Sequence, residues 1–386
     1  MKRRTALLGL SLNFLWLLLG ACDKTPDTFT IGALLPLTGD AASYGTSARQ
    51  GIDLAVDQIN ASGGISGRQV RVVYEDSKAA AREGVAATQK LINVDRVPAI
   101  IGDITSGVTL AAAPIAERSQ VVLISPTASA PDISAAGIYV FRNFPSDNFE
   151  GEAMAEFIHN RGIRRVAILQ VQNEYGEGIA TVFDKTFRAR GGAVLARERY
   201  PQDASQFRTI LTKVHNQEPE ALYIVGYYKD AALALRQARE LRIKTPAFAT
   251  TTVEDPQFVQ IGGSAVEGVV YPLASGFDIS SSDSLVANFS TAFKSKYQSD
   301  PGFVAAQAYD CVLLVKRAVE NSNGFTGPDI QRGMADIRDF HGVAGLTTFD
   351  PNGDIKRGLR MRVVQKGAFQ NLADSLPAAD AKAVVR

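Results

Sequence analysis

The sequence predicts an α/β protein of two similar lobes, each built on a parallel sheet with helices on both faces, and three observations carry that expectation. Short apolar runs bounded by turn residues recur a helix length apart, from Ala99 to Ile101 and again from Val121 to Ile124. Adjacent buried parallel strands have this signature. Between such runs lie segments with helical periodicity, as in GIDLAVDQINASGG, where Ile52, Ala55, Val56 and Ile59 fall on one face. The same grammar starts afresh near Phe144, and single cores stop growing at roughly 250–300 residues, fewer than the 386 present.

Taken in order, FTIGALLPL reads as a strand, and TGDAASYGTSARQ leads into the helix around Ile52, which Gly63-Gly64 stops. Next come the strand QVRVVYED, a helix from Glu83 to Asn93, the two apolar runs with a helix between them, and a short strand, YVFRN. The second set runs through the strands RRVAILQV, AVLARERY, EALYIVG and PAFATTTV, with YGEGIATVFDKTFRARGG, FRTILTKVHNQEP and KDAALALRQARELR as intervening helices. From Ser275 to Asp350 the pattern is mainly helical. Near the end, FDPNGD carries the hairpin signal Asn352-Gly353 and is expected to join two strands.

In open α/β sheets ligands bind at the C-terminal ends of the strands, where loops and helix starts present backbone N–H groups. At the ends of the two opening runs stand Thr105, Ser106 and Gly107, then Ser125, Thr127, Ala128 and Ser129. These are small donors and acceptors with no nucleophile and base among them. They suit gripping a carboxylate by neutral hydrogen bonds rather than chemistry.

The N-terminus is of another kind. Lys2, Arg3 and Arg4 precede an apolar run from Ala6 to Leu19, short for a membrane span, which ends in Leu-Gly-Ala-Cys. This reads as an export signal over residues 1–21, and the tetrapeptide resembles a bacterial lipobox whose Cys22 would become the acylated first residue, followed by a polar tether over 22–28. Without those three basic residues, 38 Lys and Arg face 40 Asp and Glu, so no basic field invites nucleic acid. The remaining cysteine, Cys311, lies in the apolar helix pattern AYDCVLLVKRAV and reads as packing. An Ala-rich tail occupies 375–386.

PLTGDAASYG, GIDLAVDQINASGGISG, VVYED, IIGDITSGVT, ISPTASAPD, EYGEG and LRQAR, in that order, resemble the type I substrate-binding proteins of branched-chain amino-acid ABC transporters, the leucine/isoleucine/valine-binding kind. The resemblance covers nearly the whole chain after the signal. It implies two Rossmann-like lobes joined by three crossover strands, near Asn143 to Ser146, Pro272 to Ser275 and Phe349 to Pro351. The N-terminal lobe would then be 29–144 plus 275–350, and the C-terminal lobe 145–274 plus 351–374. It also implies a small carboxylate-bearing solute, an amino acid, held in the interlobe cleft by hinge closure on the extracytoplasmic side of the membrane and passed to a permease and ATPase.

The resemblance places the ligand carboxylate on Ser106 and Ser129, with the backbone of Thr127 and Ala128 alongside. Tyr44 matches the family's cleft tyrosine, and Tyr175 and Tyr227 match those closing from the second lobe. Members specific for aliphatic amino acids carry a glutamate for the ligand ammonium at a position that falls here on Thr251. A threonine cannot neutralise a buried ammonium, at a cost of several kcal/mol. Asp147, which resembles another acidic cleft position, or Glu254 or Asp255 farther along the loop, substitutes, or the ligand has no ammonium.

Catalysis finds no support, since GxGxxG opening a helix, a P-loop, HExxH and GxSxG are all missing from the sequence. His159, His215 and His341 sit away from the cleft loops, and no cofactor is expected. A sensory ligand-binding protein on the same fold is the alternative to a transport receptor.

Overall fold

The computed structural model describes residues 28–372; the signal segment, Cys22, the tether before Thr28 and the tail from 373 lie outside the described residues. The first sheet contains β1 (Thr28–Leu35), β2 (Gln69–Asp76), β3 (Ala99–Gly102), β4 (Val122–Ser125) and β5 (Val140–Arg142) in the order β2-β1-β3-β4-β5, every pairing parallel. Helices α1 (Ala42–Ala61), α2 (Ala81–Asn93) and α3 (Ser106–Arg118) make the connections. β3 and β4 are buried at every residue, which is why both read as unbroken apolar runs.

The chain then leaves this sheet through Asn143–Ser146 and enters the second one. It forms α4 (Asp147–Asn160), β6 (Arg165–Val171), α5 (Glu174–Ala189), β7 (Ala193–Tyr200), α6 (Arg208–His215), β8 (Ala221–Val225), α7 (Tyr228–Glu240), β9 (Ala247–Ala249), α8 (Pro256–Gly262) and β10 (Val270–Ala274). It returns to the first lobe as α9 (Ser284–Tyr297), α10 (Phe303–Ser322), α11 (Gly327–Ala335) and the ribbon β11 (Phe340–Gly342) and β12 (Gly345–Thr347). It ends in β13 (Leu359–Gln365) and β14 (Ala368–Asn371) of the second sheet. That sheet has the order β14-β13-β10-β9-β8-β6-β7, parallel from β7 to β10 and antiparallel at β13 and β14.

Three expectations need correction. PAFATTTV is a strand only over Ala247–Ala249, because Thr251 and Thr252 turn their hydroxyls to Glu150, Pro272 and Gly226 and draw the backbone into a 3-10 turn over Thr251–Val253. Asn352-Gly353 does turn the chain, with Gly353 at φ 74°, but the turn joins no hairpin. The ribbon folds at Val343-Ala344 instead, where buried Asp310 accepts both N–H groups at 3.0 and 2.7 Å. The third crossing also comes later than Phe349 to Pro351. The Gly353 carbonyl accepts the Arg142 N–H at 3.0 Å and Asp354 pairs with Arg142 at 2.6 Å, so the chain is still beside β5 at Asp354 and passes over only after it.

The first lobe's second layer is α10, buried along most of its length with Cys311 fully enclosed. α1 lies across it, and Gly51 lets the two backbones approach: a methyl group there would stand 2.1 Å from the Ala305 carbonyl oxygen. Gly51→Ala is therefore expected to destabilise the protein by about 1–3 kcal/mol. Urea denaturation checks this, and an unchanged midpoint would contradict the close packing.

Candidate functional site

Two loops at the C-terminal edge of the first sheet are laced together by short side chains. Gly102 ends β3 at φ 127°, where a Cβ would meet the Leu34 carbonyl oxygen at 1.8 Å. Beyond it, buried Asp103 accepts the Ser77 hydroxyl at 2.5 Å and both the N–H and the hydroxyl of Thr105 at 2.7 Å. Burial pushes the Asp103 carboxyl up to about 6, while these bonds pull it back. Ser125 donates to the Asp103 carbonyl at 2.6 Å, and Thr127 donates to the Ile104 carbonyl at 3.0 Å. The Ser106 oxygen accepts N–H groups from Ser129 at 3.2 Å and Ala130 at 3.1 Å. With its lone pairs so engaged, the Ser106 hydroxyl has its proton to give.

The opposite wall comes from the second lobe. Tyr175 stacks on Tyr227 with ring centres 5.6 Å apart, and Tyr227 meets Tyr44 of the first lobe edge-on at 6.4 Å. Asn173 donates to the Tyr227 oxygen at 3.2 Å, whereas the Tyr175 hydroxyl is buried with no hydrogen-bond partner among the described residues. Burial holds both phenols far above their ordinary range, so they are neutral. Direct bonds bind the lobes to each other. Tyr44 donates to the Thr252 carbonyl and accepts the Tyr228 N–H at 3.2 Å; Ser43 donates to Asp255 at 2.8 Å; Tyr228 donates to the Asp40 carbonyl at 2.8 Å.

Between the walls lies a cavity of about 40 Å³, bordered by Tyr44, Ser106, Thr127, Ser129, Tyr175, Tyr227 and Thr251. Of the residues expected at the ligand, these seven meet there. Ala128 does not: its N–H is taken by the Ser125 oxygen at 2.8 Å, behind the loop. Glu254 is also turned away, paired with Arg362 at 3.1 Å and with the Tyr271 hydroxyl. Asp255 caps α8 through the Gln257 N–H at 2.8 Å and meets Ser43, so neither acid reaches the cavity. Asp147 is 1% exposed, stands behind the cavity wall, and neither of its oxygens has a hydrogen-bond partner among the described residues.

The acid at the cavity is Glu150, which sequence reasoning missed. One of its oxygens accepts the Thr251 N–H at 2.9 Å and the other the Thr251 hydroxyl at 2.7 Å. The threonine at the expected acidic position thus holds an acid delivered from α4. Burial raises the Glu150 carboxyl to about 7, with Thr251 opposing. Asp147 is raised well above its ordinary value, by burial first and by Glu150 second. The readable signal was the spacing: Asp147 and Glu150, three apart at a helix start, share one face. Thr105 and Thr252 also border the cavity, and Ile104, Phe144, Phe303 and Val304 complete the wall; these last four are apolar and not distinguishable in sequence from core.

A family model described as periplasmic binding protein matches residues 28–368. The leucine-, isoleucine-, valine-, threonine- and alanine-binding protein of Pseudomonas aeruginosa is 30% identical over 332 residues, 86% of this chain and 88% of that one. Among solved structures, the leucine binding protein of Thermotoga maritima is 29% identical with a TM-score of 0.83, covering 90% of this chain and 98% of that one. A branched-chain amino acid transporter substrate binding protein of Streptococcus pneumoniae, in complex with isoleucine, is 30% identical with a TM-score of 0.82, covering 90% and 99%. A solute binding protein of R. palustris in complex with benzoate, 22% identical with a TM-score of 0.82 over 89% and 95%, shares the fold.

Tyr44→Phe deletes the hydroxyl that joins the lobes and strands the buried Tyr228 N–H. The closed arrangement should lose about 1–3 kcal/mol, and at pH 5, where the buried Glu150 carboxyl of that arrangement is protonated, the radius of gyration from small-angle scattering should rise with no change in circular dichroism. An unchanged radius would mean that this contact does not hold the lobes together.

Proposed function

Because the chain belongs to the periplasmic binding protein family, and is a solute-binding component of an ABC importer rather than an enzyme, we propose that it captures a small zwitterionic amino acid between its lobes by hinge closure. The supporting observation is Glu150, fixed by both donors of Thr251 across the cavity from the Ser106 hydroxyl. A carboxylate on Ser106, Ser129 and Thr127 receives neutral hydrogen bonds, and an ammonium on Glu150 receives the opposite charge. One water requires roughly 10–15 Å³ of such space, so a cavity of about 40 Å³ favours a solute with a short side chain.

The lobes in this reading are 29–144 with 275–355, and 145–274 with 356–372. Ligand binds the hydroxyl-lined loops first, and Tyr175, Tyr227 and Glu150 then complete the site; closure is favoured by contacts made from both sides. The protein is extracytoplasmic, delivers solute to a permease and ATPase, and in this reading is held to the membrane by a lipid on Cys22.

Calorimetry should detect binding of glycine, L-alanine, L-serine or L-threonine and none of acetate, lactate or acetamide. Ser106→Ala with Ser129→Ala should abolish that binding without unfolding the protein. Glu150→Gln, which removes one charged partner worth about 1.5–3 kcal/mol, should weaken it roughly 10- to 100-fold. Equal affinity for an acid lacking an ammonium would overturn the assignment.

A further inference from the structure

Asp147 and Glu150 lie one helical turn apart at the start of α4, 1% and 4% exposed. No cation is paired with either among the described residues. Arg142, the nearby guanidinium, is fully buried and committed elsewhere: to the carbonyls of Ser129 at 3.0 Å and Ala130 at 2.9 Å, to Ser134 at 2.7 Å and to Asp354 at 2.6 Å. Around the acids stand phenols: Tyr175 from α5, Tyr223 from β8 and Tyr227 ahead of α7, with the hydroxyls of Tyr175 and Tyr223 unpartnered. The remaining buried acids nearby, Asp103 and Asp230, face Tyr227. Two carboxylates in such a cage cannot both be ionised cheaply.

That cage is closed by both lobes. The first lobe contributes Ser129 and Tyr44 to it, and Ser129 touches the start of α4 directly, its carbonyl accepting the Asp147 N–H at 2.8 Å. With the lobes apart, water reaches Glu150 and lowers the cost of its charge. We infer that the Asp147–Glu150 pair is a proton-operated brake on closure: ionised, it keeps the empty lobes apart, and either a ligand ammonium or a proton releases it. The ammonium half rests on the reading of the ligand given above; the proton half does not.

The sign follows from linkage. The closed form holds the pair's carboxyls above their ordinary value, Glu150 at about 7, so it binds more protons than the open form. Acidification from about 7 toward the ordinary carboxyl value of about 4 therefore favours closure. A proton and the ammonium compete for Glu150, so ligand affinity falls once the empty protein begins to take up that proton, by at most about tenfold per unit for a single proton. Above the window affinity is level.

Small-angle scattering of the full chain without ligand, at pH 8 and pH 5, tests the proton half. The radius of gyration should be smaller at pH 5, and Glu150→Gln with Asp147→Asn should make it equal at the two values. Each single substitution, checked for fold by circular dichroism, should reduce the difference. An identical wild-type radius at both values overturns the inference, and so does a difference that persists in the double variant, which would assign it to Asp103 or Asp230. Calorimetry with L-alanine tests the ammonium half: its dissociation constant should be several-fold higher at pH 4.5 than at pH 6.5 and stay level between pH 7.5 and 8.5. A dissociation constant that is the same at all four values overturns that half. Absence of L-alanine binding at every pH counts against the ligand reading alone and leaves the scattering result to stand by itself.

Discussion

A charge enclosed where two surfaces meet costs several kcal/mol unless its opposite is enclosed with it, and Glu150 is such a charge. Its only hydrogen-bond donors among the described residues are the N–H and hydroxyl of Thr251, which orient the carboxylate without neutralising it. Across the cavity the first lobe shows the reverse, offering hydroxyl groups to an anion with no cation among the described residues that border the space. The two walls are complementary to a molecule carrying both charges, and to each other they are not. Phenol rings fill the space between, polar at one end and apolar along the ring, so water can be excluded without adding a third charge.

The scaffold that holds these walls explains why so few residues carry so much. Ser129 is the junction. Its N–H goes to Ser106, and its carbonyl takes both the Asp147 N–H and the Arg142 guanidinium. The anion loop is thereby tied to the first crossover through α4, and to the third through the Arg142–Asp354 pair. Arg357 adds a second tie, donating to the Asn143 carbonyl and side chain, to Gln307 and to Thr347, each at 2.8–2.9 Å. Two of the three crossovers are thus fastened to the first lobe up to Arg357, which leaves Gly358 and the start of β13 as the place where the third one bends.

What was legible in the sequence follows from which forces are local. Parallel strands buried on both faces must be apolar runs, and helices between them must show a stripe; both patterns survive in one dimension, so two lobes and the hydroxyl edge could be read. Tyr44, Tyr175, Tyr227, Ser106 and Ser129 were legible because each stands just beyond a strand, inside a recognisable segment. Glu150 was not, because its role depends on Thr251, 101 positions away. Glu254 misled for the converse reason: next to Thr251 in the chain, it finds Arg362 and Tyr271 on its own side of β10 and turns toward them. The late third crossing was equally hidden, since only the pairing of Gly353 with Arg142 reveals that 350–354 still belongs beside β5.

The placement of the acid on α4 has a mechanical consequence that a glutamate in the loop after β9 would not have. α4 begins directly at the first crossover, with Ser146 capping it through the Asn148 N–H, so its first turn moves with the hinge itself. Any rotation of the second lobe swings Asp147 and Glu150 about a short lever whose fixed end is Asn143, held by Arg357 and by Thr347 at 3.1 Å. In the inferred brake, charge recognition and hinge position share one coordinate: closure takes Glu150 out of water, and opening returns it. A site arranged in this way needs no separate sensor of occupancy, because the electrostatic cost of the empty closed form sets how rarely that form is visited.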